Sequence, residues 1–357
     1  MRYFVVVIAL FCIARVQAED PKPLLALGGL DPVELINGKE VAGKDDITDT
    51  HYRYLYQFAN AKNKKEFEKT PERYKIQLGG ACARMGPLSG SGNPGRFVVH
   101  DKRIYIFASE QCKAAFLKAP ANFLPQNEPM PIAQKEPARR AGELLDKAVE
   151  AVGGKEKLDG LKTFQIAIKI AYKQGDAITE GTRTRTIDFA GRYRQEEEWG
   201  TSRYGDAVSP TGGFQFVTKE SWEMEPEIRD LFRQSFARDP LVLLKARGEK
   251  GFVAIASGKE KLGDIEAELV LVHWQGVNSV LAIDPAAGRI LQSRHPTRSA
   301  TGPAQLTRAY NEFKKVDGLM LPHGWLDSID GKVITNPTVR VDSIRVNPKL
   351  NDKLFAR

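Results

Sequence analysis

The stretch FQIAIKIAY at residues 164–172 decides the fold class of the larger, C-terminal part of this chain. Phe164, Ile166, Ile168, Ile170 and Tyr172 occupy every second position, and polar or small residues lie between them. Successive side chains of a β-strand point to opposite faces, so this period of two predicts a strand with one buried face. Similar runs predict further strands at residues 182–189, 192–199, 252–256, 265–274, 279–284, 289–294, 305–313, 320–325 and 339–346.

Helical patterns interrupt these strands at two places. From Ala141 to Val152 apolar residues recur at helical spacing, and Gly153-Gly154 provides a helix-ending signal. Residues 225–238 predict a second helix. We therefore expect an α+β fold in which a long antiparallel meander forms a half-open β-barrel with helices.

Three segments of this region also resemble a known family. GGKEKL at residues 153–158, VDGLMLP at 316–322 and the closing residues 341–355 are similar to the LolA-like lipoprotein-carrier superfamily. The resemblance covers residues 139–357, which we predict to be one domain. It implies a half-barrel, capped by helices, that holds acyl chains or other apolar ligands.

An aromatic set in this domain is the candidate ligand pocket. Aromatic side chains around an apolar cavity could hold a lipid. The alternative is that these side chains fill a packed core, as buried aromatic residues usually do. The set consists of Phe164, Tyr172, Trp199, Phe214, Phe216, Trp222, Trp274 and Trp325.

The N-terminal region contains an internal repeat. YQFA at residues 56–59 recurs as YIFA at 105–108, an offset of 49 residues. Phe67 and Phe116 continue the match, as do Pro71 and Pro120, so each copy predicts a strand followed by a short helix. Two such units packed together can bury the apolar face that one alone would expose. We predict a module at residues 19–125 and a proline-rich linker at 126–138.

This region resembles the YHS family, with a TRASH-type second unit. The resemblance rests on GLDPV at residues 29–33, the segment 56–74, GGACA at 79–83, and YIFASEQC with its continuation at 105–123. It implies a small α+β module often associated with heavy metals. Relatives that bind metals carry several cysteines, whereas this region has two.

Those two residues, Cys82 and Cys112, allow several interpretations: a disulfide, thiols that bind a metal or act in redox chemistry, or inert buried thiols. In an oxidising compartment a cysteine pair is first expected to form a disulfide, closing a loop of about 30 residues and contributing about 3 kcal/mol. Alternatively, the thiols hold a copper or zinc ion, with help from His51 or His100 in the case of zinc. In the first interpretation the protein needs no cofactor.

The first 18 residues have the pattern of a secretory signal. Arg2 precedes an apolar run, and small residues at Val16 and Ala18 predict cleavage after Ala18. We therefore expect an exported protein, periplasmic or extracellular, with no transmembrane segment after removal of the signal. The formal net charge of +8 is dispersed without a long basic run, so nucleic acid is not an expected partner.

The sequence contains no nucleophile elbow, P-loop or zinc-protease motif, and GSGNPG at residues 90–95 precedes a strand-like segment and not a helix. We therefore expect no catalysis. The leading hypothesis is an envelope binding protein that holds a lipid or another apolar ligand in its C-terminal half-barrel and contacts an envelope protein partner. The alternatives are heavy-metal binding by the N-terminal module and a structural or interaction protein.

Overall fold

The computed structural model describes residues 21–88, 90–124, 128–299 and 301–357. The predicted signal, residues 1–18, lies outside the described residues, as does part of the proline-rich segment. The described chain is mixed α+β and its strands are mostly antiparallel, which confirms the predicted class. No helix among the described residues is both long and apolar enough to cross a bilayer.

The N-terminal module, residues 24–123, consists of two small sheets with short helices. The three-stranded sheet has the order β1-β3-β2, and β4 and β5 form a hairpin. The elements are β1 (Leu24–Leu25), α1 (Pro32–Ile36), β2 (Lys44–His51), β3 (Tyr54–Phe58), α2 (Ala61–Lys69), α3 (Pro71–Tyr74), β4 (Asn93–His100), β5 (Arg103–Phe107) and α4 (Glu110–Lys118).

The predicted repeat is visible in these boundaries. Strands β2 and β3 and helix α2 begin and end 49 residues before β4, β5 and α4. Even the hairpin irregularity repeats, with register shifts after Lys44 in one copy and Asn93 in the other. Asn60 caps α2 and Ser109 caps α4 through the same side-chain hydrogen bond to the third helical amide.

The described residues of the C-terminal region form four α-helices and two seven-stranded antiparallel sheets. The helices are α5 (Lys135–Val152), α6 (Lys155–Asp159), α7 (Pro226–Ala237) and α8 (Pro240–Ala246). The first sheet contains β6 (Thr163–Gln174), β7 (Ala177–Asp188), β8 (Arg192–Trp199), β9 (Ser202–Val208), β10 (Gly213–Val217), β11 (Glu220–Glu223) and β19 (Thr338–Val346). The second contains β12 (Val253–Leu262), β13 (Ile265–Trp274), β14 (Val277–Ile283), β15 (Ile290–Ser299), β16 (Gly302–Val316), β17 (Leu319–Ile329) and β18 (Lys332–Val333).

The strands form two hydrogen-bonded sheets and not the single meander that we predicted. The first has the order β11-β10-β9-β8-β7-β6-β19, and the second runs from β12 to β18 in chain order. The break falls where α7 and α8 separate β11 from β12. The last strand then returns to the first sheet, because β19 pairs with β6.

The helices fill the space between the two sheets. Leu144 and Leu145 of α5, Phe232 and Phe236 of α7 and most of α8 join side chains of both sheets in the largest apolar core. At one edge the sheets meet directly, where Ile168 of β6 lies in one cluster with Trp325 of β17. We call this assembly of two sheets and enclosed helices the half-barrel.

The N-terminal module packs against α7 of the half-barrel. The Lys75 Nζ lies 2.5 Å from a carboxylate oxygen of Glu225, and both side chains are almost fully buried. Gly79 approaches Ile228 so closely that an added Cβ would lie 2.5 Å from its side chain. The two regions are therefore joined by a buried contact that contains a charge pair.

Candidate functional site

A cavity of about 440 Å³ lies inside the half-barrel. Its walls come from both sheets and from the enclosed helices α5 and α8. The volume falls in the range of cavities that hold small organic ligands, roughly 300–1,000 Å³. The half-barrel therefore contains space that its own side chains leave unfilled.

Most of the cavity wall is aliphatic or aromatic. Alternation along β6 aims Phe164, Ile166 and Ile168 at the cavity, and α5 contributes Ala148 and Val152 from the opposite side. Further apolar lining residues are Leu241, Leu244, Ile290, Leu306, Phe313, Met320, Leu321, Trp325 and Ile344. Such a wall favours a hydrocarbon over water because it offers few hydrogen bonds.

The remaining wall is polar and contains, besides Asp239, Gln195, Ser235 and Ser293, five arginines: Arg183, Arg185, Arg238, Arg289 and Arg308. Arg183 and Arg185 of β7 line the cavity, and so does Arg308 of β16 on the other sheet. Arg308 donates two hydrogen bonds to Asp327, of 2.7 and 2.8 Å, and its guanidinium lies 4.7 Å from the Trp325 ring centre. The cavity thus combines a hydrocarbon wall with fixed positive groups.

Arg185 is paired more weakly than Arg308 and than Arg183, whose Nε donates a 2.6 Å hydrogen bond to Glu197. Arg185 donates one hydrogen bond of 3.3 Å to Asp239, and among the described residues its buried Nε has no partner. Burial lowers the pKa of Arg185, Asp239 opposes this shift, and nearby Arg308 reinforces it. Arginine remains charged in proteins, so a partly unsatisfied cation lies beside the cavity.

His295 and Tyr310 complete the polar part of the wall. Burial lowers the pKa of His295 to about 3, and the charges of Arg238 and Arg308 act in the same direction. Burial raises the pKa of Tyr310 to about 12, and its hydroxyl lies 2.8 Å from that of Ser293. At neutral pH the imidazole is therefore uncharged and the phenol protonated.

The structure brings two of the eight predicted aromatic residues to this cavity, Phe164 and Trp325. Tyr172 is 45% exposed at the far end of β6 and contacts Trp199. Trp274 is buried in the main core.

The other three predicted aromatic residues lie in the first sheet, away from the cavity wall. Phe214 and Phe216 pack together in a separate cluster. Trp222 stacks under Arg53 of the N-terminal module, with 4.3 Å between guanidinium carbon and ring centre.

Sequence reasoning missed the arginines, although a signal existed. TRTRT at residues 182–186 alternates as a strand, and it places Arg183 and Arg185 on the same face. Arg185 pairs in register with Ile166, whose side chain faces the cavity. Residues paired in register on neighbouring strands point to the same face of the sheet. A charged residue paired with an inward-facing apolar residue therefore indicates a polar wall inside the half-barrel.

Cys82 and Cys112 are buried, unbonded thiols in this structure. Burial raises the pKa of Cys112, but hydrogen bonds with Ser109, with the Cys82 thiol and with Arg84 together bring it below its ordinary value. The two thiols belong to one buried cluster, and the Arg84 Nη1 lies 3.9 Å from the Cys112 Sγ.

The structure does not bring His51 and His100 to the thiols. Among the described residues, no three potential metal ligands converge. The His51 ring packs on Phe67 and the His100 ring on Phe116, with ring centres 5.8 and 5.7 Å apart. These histidines are thus equivalent residues of the two copies, each in the same aromatic contact.

The thiol pair has a counterpart in the first copy. Asn63 is the repeat equivalent of Cys112, and its amide donates a 2.8 Å hydrogen bond to buried Asp31. Asp31 follows the left-handed turn Leu27-Gly28-Gly29 as Cys82 follows Leu78-Gly79-Gly80. The second copy therefore carries two thiols at the place where the first carries an acid–amide hydrogen bond.

Fold and cavity together define a class, an antiparallel half-barrel that contains helices and an amphipathic cavity. No family model and no curated protein matches the chain, so the YHS-type resemblance stays a prediction. Solved structures similar to this chain include a DUF1329 family protein from Desulfovibrio piger, with 10% identity and a TM-score of 0.41 over 62% of this chain and 98% of that one.

Two further similar structures cover the same share of the chain. One is a domain described as outer-membrane lipoprotein-sorting, from Vibrio parahaemolyticus, with 9% identity and a TM-score of 0.39 over 61% of this chain and 97% of that one. The other is a LolA superfamily protein from Nitrosomonas europaea, with 13% identity and a TM-score of 0.34 over the same shares. Similarity this weak, in both sequence identity and TM-score, supports no statement about function.

Proposed function

We propose that this chain is an exported envelope protein whose half-barrel binds one apolar ligand, a lipid or acyl chain, without changing it covalently. The observation that supports this proposal is the cavity of about 440 Å³ with its largely apolar wall. Each methylene moved from water into such a wall contributes roughly 0.8 kcal/mol. A chain of ten or more methylenes would offset the cost of immobilising the ligand.

Native mass spectrometry of protein purified from an exporting host tests this proposal. We expect a lipid-sized adduct that is lost when the same sample is denatured. Delipidated protein should also enhance the fluorescence of N-phenyl-1-naphthylamine, an uncharged probe of apolar sites. A bare native mass together with no fluorescence enhancement would overturn the proposal.

A pair of variants on α5 sharpens the test. Ala151 lines the cavity, whereas its neighbour Glu150 is exposed on the outside of the helix. Ala151→Trp should therefore reduce the number of probe molecules bound, because the indole occupies ligand space, and Glu150→Trp should leave it unchanged. Equal probe binding by both folded variants would place the ligand elsewhere.

Heavy-metal binding by the N-terminal module is the second candidate function. Cys82 and Cys112 lie in one buried cluster, at the place of a structural hydrogen bond in the other copy, and this arrangement favours the function. Two soft sulfur ligands suit Cu(I). The fit is limited to these two ligands among the described residues, since the histidines lie apart from them.

Mass and metal content distinguish the two states of this thiol pair. A denatured mass two hydrogens below that of the reduced chain would show the predicted disulfide. One Cu(I) per chain, absent in the Cys82→Ser/Cys112→Ser variant, would support the metal function. Failure of the reduced protein to compete with a chelator for Cu(I) would exclude it.

A further inference from the structure

We propose that the ligand of the half-barrel is a single-chain amphiphile with an anionic headgroup, carboxylate or phosphate, which Arg185 and Arg308 receive between the two sheets. This inference rests on the proposed function and specifies its ligand. The feature that supports it is a cavity whose largely apolar lining also includes arginines from both sheets.

The two arginines come from opposite sheets. Arg185 lies on β7 of the first sheet and Arg308 on β16 of the second, and both line the cavity. The charge of Arg308 lowers the pKa of Arg185, and the Asp239 carboxylate acts on both guanidiniums in the opposite direction. An anion between them would relieve this repulsion at both ends.

The existing acidic partners leave donor capacity unused. Asp327 engages the Nε and Nη2 atoms of Arg308, and Asp239 engages one nitrogen of Arg185. Arg185 keeps 17% of its side chain accessible although it is surrounded by protein. A guanidinium has five N–H donors in a planar fork that matches carboxylate and phosphate oxygens, so both groups can accept a further anionic partner.

Neutral hydrogen-bonding groups and the apolar wall determine which other features the ligand can have. The protonated Tyr310 hydroxyl lies on the same strand and face as Arg308. The uncharged His295 adds no further positive charge at neutral pH. The hydrocarbon part would lie toward α5 and α8, along Phe164, Val152 and Leu244. A cavity of about 440 Å³ suits one chain better than several.

Displacement of N-phenyl-1-naphthylamine from delipidated protein tests the headgroup separately from the chain. We compare lauric acid, dodecyl phosphate, dodecanol and dodecyltrimethylammonium, which share a twelve-carbon chain and differ in charge. Both anions should displace the probe at concentrations at least about tenfold lower than dodecanol, since charge-assisted hydrogen bonds in a poorly hydrated site are strong. The cation should be the weakest competitor. A preference for one anion over the other identifies carboxylate or phosphate as the headgroup.

Variants locate the charge selectivity. Arg185→Met/Asp239→Asn removes the cation together with its partner, so that no unpaired carboxylate is left buried, and it should reduce the anion preference over dodecanol severalfold. Arg294→Met is the matched control, because Arg294 lies on β15 outside the cavity wall and pairs with Glu260. It should keep the wild-type preference.

The outcomes separate this inference from the proposed function. Equal displacement by laurate, dodecyl phosphate and dodecanol would overturn the anionic headgroup while leaving an apolar ligand site in place. Loss of the anion preference in Arg294→Met but not in Arg185→Met/Asp239→Asn would also overturn it. Absence of probe binding in the wild type would reject the ligand site as a whole.

Discussion

At the scale of single residues, the burial of His295 makes the stability of the half-barrel depend on pH. Burial among Arg238 and Arg308 lowers the pKa of this imidazole to about 3, against 6.5 in an unfolded chain. Between these values the unfolded chain binds a proton that the folded protein does not. Acidification through this interval therefore removes stability, and the loss is greatest below pH 4.

We predict that His295→Gln flattens this pH dependence. The free energy of unfolding of the wild type should fall relative to the variant by at most about 1.4 kcal/mol for each pH unit between pH 6 and 4. Urea unfolding at pH 7, 5.5 and 4.5 measures the difference. Parallel curves for the two proteins would show that the imidazole is protonated in the folded state.

Residue chemistry was the part of the site hardest to obtain from sequence. Phe164 and Trp325 were predicted as pocket residues and line the cavity, but Tyr172, four positions beyond Ile168 on the same strand, is exposed. Alternation tells which face a side chain occupies and not how far along the strand the other sheet covers it. Arg185 was missed because hydrophobic patterns are blind to a charged residue that points inward.

At the scale of elements, the two glycines of helix α5 make opposite predictions. Gly142 is exposed in the helix interior, and an added Cβ there would meet no atom within 4 Å. Gly153 ends the helix with a φ of +137°, and an added Cβ would lie 2.6 Å from the Gly318 carbonyl oxygen. Gly142 therefore only adds conformational entropy to the unfolded chain, whereas Gly153 is required where the helix ends.

We predict that Gly142→Ala raises the free energy of unfolding by about 0.5–1 kcal/mol. Gly153→Ala should lower it by about 1–3 kcal/mol, because both the backbone conformation and the Gly318 contact oppose a side chain. Thermal unfolding of the two variants provides the comparison. The same sign of change in both would contradict the role given to Gly153.

Elements with strong periodicity were predictable, and short elements were not, because a few residues do not establish a period. The predicted limits of β8 and β13 coincide with the observed Arg192–Trp199 and Ile265–Trp274. Strands β9 to β11 and helix α8 were missed. The 49-residue repeat was the most informative signal, since it predicted that each copy has a strand followed by a helix, as observed.

At the scale of the whole molecule, the pair Lys75–Glu225 joins the N-terminal module to α7. Burial lowers the pKa of Lys75, but hydrogen bonds to Glu225 and Glu72 raise it further, above its ordinary value. Glu227 adds a third carboxylate, 3.4 Å from the same nitrogen. The lysine therefore neutralises a local excess of negative charge at the contact.

We predict that Lys75→Met lowers the free energy of unfolding by about 3–5 kcal/mol, because Glu225 is left buried without a counter-charge. Adding Glu225→Gln should recover more than half of this loss. Guanidinium unfolding of wild type, single and double variants measures both effects. A double variant no more stable than Lys75→Met would mean that the charge pair is not the source of the loss.

The return of β19 to the first sheet has a consequence for the order of events during synthesis. Val339 pairs with Ile170, so the first strand of the half-barrel acquires this partner only after nearly the whole chain exists. Contacts so distant in sequence form late and slow folding. In a chain that emerges N-terminus first, β6 remains an unpaired sheet edge until β19 has been made. Such an edge can pair with the wrong strand. The N-terminal module has no such delay and can fold before the half-barrel is complete.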